Sequence, residues 1–337
     1  MLGLSGPDGD GGDVDRYRAA VTVPSLRLIV PHFGQLPPYF PLVLRSMAGN
    51  PDVSWLVFTD QPVHGAPPNV AVRQCRFADL AARIRDHFEF EVSLQRPYKV
   101  CDFRPAFGEI FAAELAGYDF WGHCDLDLIF GRIHQHLPEQ AFEADKILFQ
   151  GNFSLYRNTA EVAGWYRHEV GKVSYRQALT DPAAMHFDEW AGIYYIVEDL
   201  GVPYWDGRVI FDLSFSRYRT RAEDPPGRDP RRYAWEDGEV CEYRLEGGRL
   251  ARRTALLVHL QKRAMRRPGP DVLAADRYWI RPNGFAVQER VSPWSVRAAR
   301  LPLGRELVPF HLRRVQRSIR RRRARKAAAE GRTTLQV

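Results

Sequence analysis

The chain has 337 residues, 45% of them hydrophobic and 12% aromatic, enough for one large α/β domain or two ordinary ones with a full core. No stretch approaches the ~18 consecutive apolar residues of a membrane-spanning helix. The formal charge of +7 is concentrated near one end: Arg313 to Arg332 holds ten Arg/Lys against one Glu, a local +9 that leaves −2 for the rest of the chain. A mildly acidic body argues against a nucleic-acid-binding core, and no specific nucleic-acid partner is expected. Cys75, Cys101, Cys124 and Cys241 form neither a C-x-x-C pair nor a zinc spacing. The Gly- and Asp-rich start lacks the basic and apolar regions of a signal peptide. Together these features lead us to expect a flexible leader over 1–25, free thiols and a cytoplasmic location.

In chain order, Leu26 to Val30 is a short apolar run closed by Pro31, a strand ending in the loop Pro31-His32-Phe33-Gly34. Pro41 suits the first turn of a helix through Met47, which Asn50-Pro51 stops. Val53 to Phe58 is a second strand ending at Thr59-Asp60, and Asn69 to Arg73 is a third. Ala78 to Phe88 has helical spacing. Lys99 to Leu115 reads as an amphipathic helix with Pro105 in its first turn. An aromatic run from Tyr118 then climbs into Asp125-Leu126-Asp127. Strands alternating with helices imply a parallel sheet with right-handed crossovers. Ligands of such sheets bind beyond the carboxyl ends of the strands, where His32, Asp60 and Asp125 would converge.

Beyond Gly131 the character changes. Lys146 to Gln150 is a strand, followed by Gly151 to Asn158. Asp188-Glu189-Trp190 is expected to open a helix running to Asp199. Tyr218 to Arg232 is a polar loop. Ala234 to Val258, broken at Asp237-Gly238 and Gly247-Gly248, reads as an antiparallel meander and leads into His259-Leu260-Gln261-Lys262. Core periodicity fades after about Ser292.

Asp125 and Asp127 carry the chemistry. In an extended chain residues i and i+2 face one side, so both carboxylates would point together while Leu126 turns to the core. Two carboxylates side by side at a strand end suit Mg²⁺ or Mn²⁺, which keep open positions for substrate phosphates. The simplest reading is a metal site that holds a nucleoside diphosphate. The bland alternative is a pair of solvated turn aspartates.

The blocks Pro97 to Pro105, Trp121 to Gly131 and His259-Leu260-Gln261-Lys262-Arg263, in this order, resemble a GT-A-type nucleotide-sugar glycosyltransferase. More narrowly, they resemble a poorly characterised bacterial family found with capsular and cell-wall polysaccharide genes. The resemblance spans about Leu26 to Phe285. It implies a Rossmann-like GT-A fold: a mostly parallel sheet with helices on both faces, plus the small meander. The domain would cover 26–290, with a nucleotide-binding half over 26–130 and an acceptor half over 131–290, and 291–337 would be a C-terminal extension.

Carried over by residue, the resemblance makes Asp125 and Asp127 metal ligands, with Asp125 also near the ribose, and His259 the ligand that completes the coordination. Lys262 would meet the diphosphate, Asp60 the base, and Lys99 the nucleotide; His32, on the same strand-end edge, is expected among the nucleotide-sugar-binding residues. Asp188 and Glu189 would supply an acceptor-side or general-base carboxylate, or else cap a helix. The implied cofactor is Mn²⁺ or Mg²⁺. The implied partners are a nucleotide-diphosphate sugar, a UDP-sugar by preference, and a glycan or lipid-linked acceptor. The other readings are a metal-dependent phosphohydrolase or nucleotidyltransferase using the same aspartates, and a catalytically idle binding protein. The tail from Arg313 to Lys326, with Leu312, Val315 and Ile319 among arginines, reads either as a basic amphipathic helix on the anionic inner membrane face or as a disordered polyanion-binding tail.

Overall fold

The strand Leu26–Pro31 (β1) reads Leu-Arg-Leu-Ile-Val-Pro, and its Leu26, Leu28, Ile29 and Val30 are all buried. Leu28 and Val30 enter one core cluster and Ile29 the other. The same division recurs in Val53–Thr59 (β2), with Trp55 and Val57 on one face and Leu56 and Phe58 opposite. Burial on both faces is what a central, mostly parallel sheet requires. The computed structural model describes residues 23–214, 219–220 and 229–299, with 308, 311–312, 315–316 and 318–319 beyond them.

Seven strands form the main sheet in the order β3-β2-β1-β4-β7-β6-β8, with β3 Val70–Gln74, β4 Phe120–Cys124, β6 Lys146–Gln150, β7 Phe153–Arg157 and β8 Tyr204–Trp205. The strands β3, β2, β1 and β4 run parallel, whereas β7 is antiparallel to both of its neighbours. The helix Phe40–Ala48 covers one face. Phe77–Asp86, the segment from Pro97 to Phe111 and Ile193–Leu200 cover the other. Gly122 lets β4 approach β7: a Cβ there would lie 2.8 Å from Leu155 Cδ2 and closer still to Ser154 O.

Two smaller sheets follow among the described residues. Strands β10 (Arg231–Glu236), β11 (Glu239–Glu246), β12 (Arg249–Ala255), β14 (Arg277–Arg281) and β15 (Gly284–Val287) form an antiparallel sheet in the order β12-β11-β10-β14-β15. Its first two hairpins turn at Asp237-Gly238 and Gly247-Gly248, all four with positive φ, as two-residue type I′ turns need. A three-stranded sheet joins β5 (Leu128–Phe130), β13 (Leu257–His259) and β9 (Ile210–Asp212). The architecture is therefore α/β with a mixed, mostly parallel main sheet and a separate antiparallel sheet.

Several local expectations are corrected. Lys99 to Leu115 is not one helix. A 3₁₀ segment, Pro97–Ala106, precedes the short helices Phe107–Ile110 and Ala112–Leu115, because Pro105 lies inside the run and cannot donate its backbone N–H. Asp188 does not open a helix: the helix begins at Ile193, after Gly192. The apolar run ending at His259 leaves the meander and pairs with β5 and β9 instead. Residues 1–22 of the expected leader lie outside the described residues. Ser25 already belongs to the fold, its N and Oγ donating to Asp119 Oδ2 at 2.7 and 2.8 Å. Most of the polar loop over 218–232 and of the basic tail also lies outside them.

Candidate metal and nucleotide site

Strand register builds the site. β4 ends at Cys124, and Asp125-Leu126-Asp127 forms the bend into β5. Leu126 is 3% exposed and anchors the bend in the core, so both flanking carboxylates are turned outward. β13 pairs antiparallel with β5, setting His259 opposite Leu128, the residue after Asp127. β9 pairs parallel with β13, setting Asp212 opposite His259. Asp125, Asp127 and His259 each offer a ligand atom, and these atoms lie within 4.8 Å of one another. Two carboxylates and an imidazole form a donor set that fits a divalent ion of the Mn²⁺ type.

His259 is held between two acids. Its Nδ1 donates to Asp212 Oδ1 at 2.8 Å, and its Nε2 faces Asp127 Oδ1 at 3.4 Å. Burial works against the imidazolium, but bonds to Asp127 and Asp212 outweigh it and push the ring up to about 10. Burial also opposes the Asp127 carboxylate, while His259 and the Lys262 N–H hold it below its usual range. A protonated His259 thus supplies positive charge where a metal ion would; a ligating ring must give up that proton. A histidine oriented by a carboxylate on its far nitrogen is a recurrent arrangement at metal centres.

The chain after β13 closes over Asp127. Leu260 N donates to Asp127 O at 2.9 Å and Lys262 N to Asp127 Oδ2 at 3.0 Å. This wrap requires positive φ at Gln261 and Lys262, 46° and 51°. Such backbone costs of order 1–3 kcal/mol per non-glycine residue and persists where surrounding bonds over-determine it. The Lys262 side chain is exposed, its Nζ 5.1 Å from the centre of the exposed Tyr98 ring.

The turn Gly151-Asn152, between β6 and β7, ties the antiparallel part of the main sheet to this centre. Asn152 O accepts from Asp125 N at 2.9 Å, and the Asn152 side-chain amide lies 2.8 Å from His259 Nδ1. Gly151 N donates to Glu189 Oε1 at 3.1 Å. Gly151 O accepts from Arg104, whose guanidinium also reaches Asp125 Oδ1 and, at 2.9 Å, Asp188 Oδ2. Burial opposes the charge on Arg104, but Asp125 and Asp188 keep it above its usual value. Asp188 is 1% exposed and its Oδ1 has no partner. Burial, against the pull of Arg104, raises its carboxyl to about 7. Glu189 is half-buried, and of the two acids it is the one open to solvent.

The remaining expected residues divide. Asp60 and His32 stand at the ends of β2 and β1, on the same sheet edge as Asp125. Exposed Asp60 accepts from Gln61 Nε2 at 3.0 Å and Gly34 N at 2.9 Å, bonds that lower its pKa and brace the loop after β1. His32 Nε2 lies 3.3 Å from Gln35 O. Lys99 does not join the site. Its Nζ is buried and spends its three protons on Asp102 Oδ2 (2.7 Å), Ala178 O (2.5 Å) and Ala183 O (2.6 Å). An ammonium has only three donors, so none remains for a phosphate.

Sequence reasoning missed Arg104 as a site residue, along with Asn152, Asp212 and Tyr39. Burial, and then the charge of Asp127, raise the Tyr39 phenol above its usual value. Asp212 carried a usable signal: Val209-Ile210-Phe211-Asp212 is an apolar run ending in an acid, the same cue that singled out Asp60. No curated protein matches the chain. A family model matches residues 28–289, a span that contains every site residue from His32 to Lys262. The chain therefore belongs to DUF6625, a family of unknown function.

Proposed function

We propose that the protein is a divalent-metal-dependent glycosyltransferase of GT-A type that uses a nucleotide-diphosphate sugar, a UDP-sugar by preference, to extend a glycan or lipid-linked acceptor in the cytoplasm. The observation that carries this reading is the meeting of Asp125, Asp127 and His259 at the carboxyl edge of a parallel sheet, brought from segments more than a hundred residues apart. The order β3-β2-β1-β4 puts the topological switch point between β1 and β4, the usual ligand position in such sheets.

A bound Mn²⁺ or Mg²⁺ would supply Lewis-acid neutralisation of the departing diphosphate. Asp125, Asp127 and His259 would hold it, with Asp212 fixing the imidazole. Lys262 stands beside Asp127 with an exposed side chain; a unit charge pair at about 4 Å is worth ~4 kcal/mol at an effective dielectric near 20. Such a contact, made as leaving-group charge develops, lowers the barrier to transfer. Glu189, fixed by Gly151 N, is the acceptor-side carboxylate. Asp188 is a positioning residue, because it reaches the centre only through Arg104.

The test is a thermal-shift panel of nucleoside diphosphates and nucleotide sugars with and without Mn²⁺, followed by transfer assays. A ligand at 100 times its dissociation constant stabilises by ~2.7 kcal/mol. One nucleotide should stabilise the protein only with Mn²⁺, and Asp127→Asn and His259→Ala should lose that shift while staying folded. Variants that keep the parent's metal-dependent shift would defeat the reading. Sugar-nucleotide hydrolysis that no acceptor accelerates would favour a phosphohydrolase.

A further inference from the structure

We propose that the C-terminal side of the protein docks on an anionic lipid bilayer through Trp294 and an apolar stripe made by Val308, Leu312, Val315 and Ile319. The first observation is Trp294, 74% exposed and the most exposed large hydrophobic residue described. Its exposure is set by the fold. The helix Pro293–Ala298 is capped by Ser292 Oγ, which accepts from Ser295 N at 3.1 Å. Val296, two positions on, is fully buried against the antiparallel sheet, among Ala234, Cys241, Tyr243 and Trp279. Two helical residues are about 200° apart, so burying Val296 points the indole outward. Arg297 on the same helix is exposed.

The second observation lies further along the chain. Val308, Leu312, Val315 and Ile319 are all helical and exposed, at 67%, 57%, 55% and 44%. Their spacing of four, three and four residues puts them on one face of a helix. The sequence around them is rich in arginine, with Arg313, Arg314, Arg317, Arg320 and Arg321 in the same stretch. An exposed apolar stripe within an arginine-rich stretch matches an interfacial helix, which sinks apolar side chains among acyl chains and meets headgroups with basic ones. An exposed indole suits the same boundary, with an apolar body and a polar N–H. Among the described residues no helix is long and apolar enough to cross a membrane, so the contact is with the surface. The occupant follows from charge: the +9 over Arg313 to Arg332 gains roughly fivefold in binding per basic residue brought to an anionic bilayer.

The full chain is tested by flotation with vesicles of phosphatidylcholine alone and with about one-third phosphatidylglycerol, at two salt concentrations. The parent should float with the anionic vesicles only, and higher salt should weaken the binding. Trp294→Ser and the triple variant Leu312→Ser/Val315→Ser/Ile319→Ser keep every charge and replace only exposed side chains. Each should lower vesicle affinity severalfold, the triple variant at least tenfold, with Tm unchanged. A triple variant that binds anionic vesicles like the parent would reduce the tail to a nonspecific polycation and overturn the proposal. So would a parent that binds heparin but no vesicle. The outcome is independent of metal or nucleotide binding.

Discussion

Replacing Lys99 by Met tests whether this lysine is structural. The side chain is 3% exposed and the Asp102 carboxylate is fully buried. Asp102 also accepts from Phe187 N at 3.0 Å and Met185 N at 2.9 Å, so the pair pins the segment before Asp188 to the 3₁₀ segment. Methionine keeps the volume and removes the charge, leaving a buried carboxylate with two backbone donors and the weak thiol donor of Cys101. Breaking one side of a buried ion pair costs about 3–5 kcal/mol, a large part of a typical ~5–15 kcal/mol stability, and should lower Tm by roughly 10 °C. Urea titration should show a lower midpoint at unchanged slope. Asp102→Asn alone should also destabilise, since it leaves the ammonium uncompensated. The double variant Lys99→Met/Asp102→Asn keeps an oxygen for the backbone donors and should be less damaged than the sum of the singles, by about 1–3 kcal/mol. An unchanged urea midpoint for Lys99→Met, together with loss of nucleotide-dependent stabilisation, would refute the structural assignment and return Lys99 to the ligand.

Three further outcomes are expected. Asp212→Asn should weaken Mn²⁺ binding about 10–100-fold by releasing the His259 ring, read by calorimetric titration against an unchanged Tm of the metal-free protein. Gly122→Ala should destabilise by several kcal/mol, because its new methyl meets the Ser154 carbonyl and Leu155 between two central strands; a soluble variant with the parent's Tm would contradict the packing of β4 on β7. For Asp188 the folded pKa of about 7 lies above the ordinary ~3.9 of an unfolded aspartate. Its contribution is therefore fully present below about pH 4 and lost as pH rises through about 7. Asp188→Asn should flatten the fall in stability between those limits, and identical pH–stability curves for parent and variant would show that the group does not titrate there.

The sequence by itself determined the features that local chemistry dictates. Apolar runs closed by Pro31, Thr59-Asp60 and Asp125 gave three parallel strands and one ligand-bearing edge, because a strand buried on both faces has almost no freedom in composition. The Gly-containing turns at 237–238 and 247–248 located the hairpins, because positive φ at consecutive residues narrows the choice of side chain. The alternation around Leu126 foretold that Asp125 and Asp127 would be turned away from the core together.

Tertiary structure decided what depends on partners distant in the chain. Lys99 and Arg104 are cations in one short segment with Asp102 between them, yet Lys99 is consumed by Asp102 and the distant carbonyls of Ala178 and Ala183, while Arg104 bridges Asp125 to Asp188. The proline that broke the expected helix was visible, but the 3₁₀ path it left, and with it the direction of each side chain, was set by packing. Asp212 and Asn152 acquire their roles only through the register of β9 on β13 and the turn between β6 and β7. The left-handed turn at Gln261-Lys262 exists because Asp127, 135 residues before Lys262, accepts its N–H. A strand-end acid advertises itself in one dimension; the charge that answers it is chosen in three.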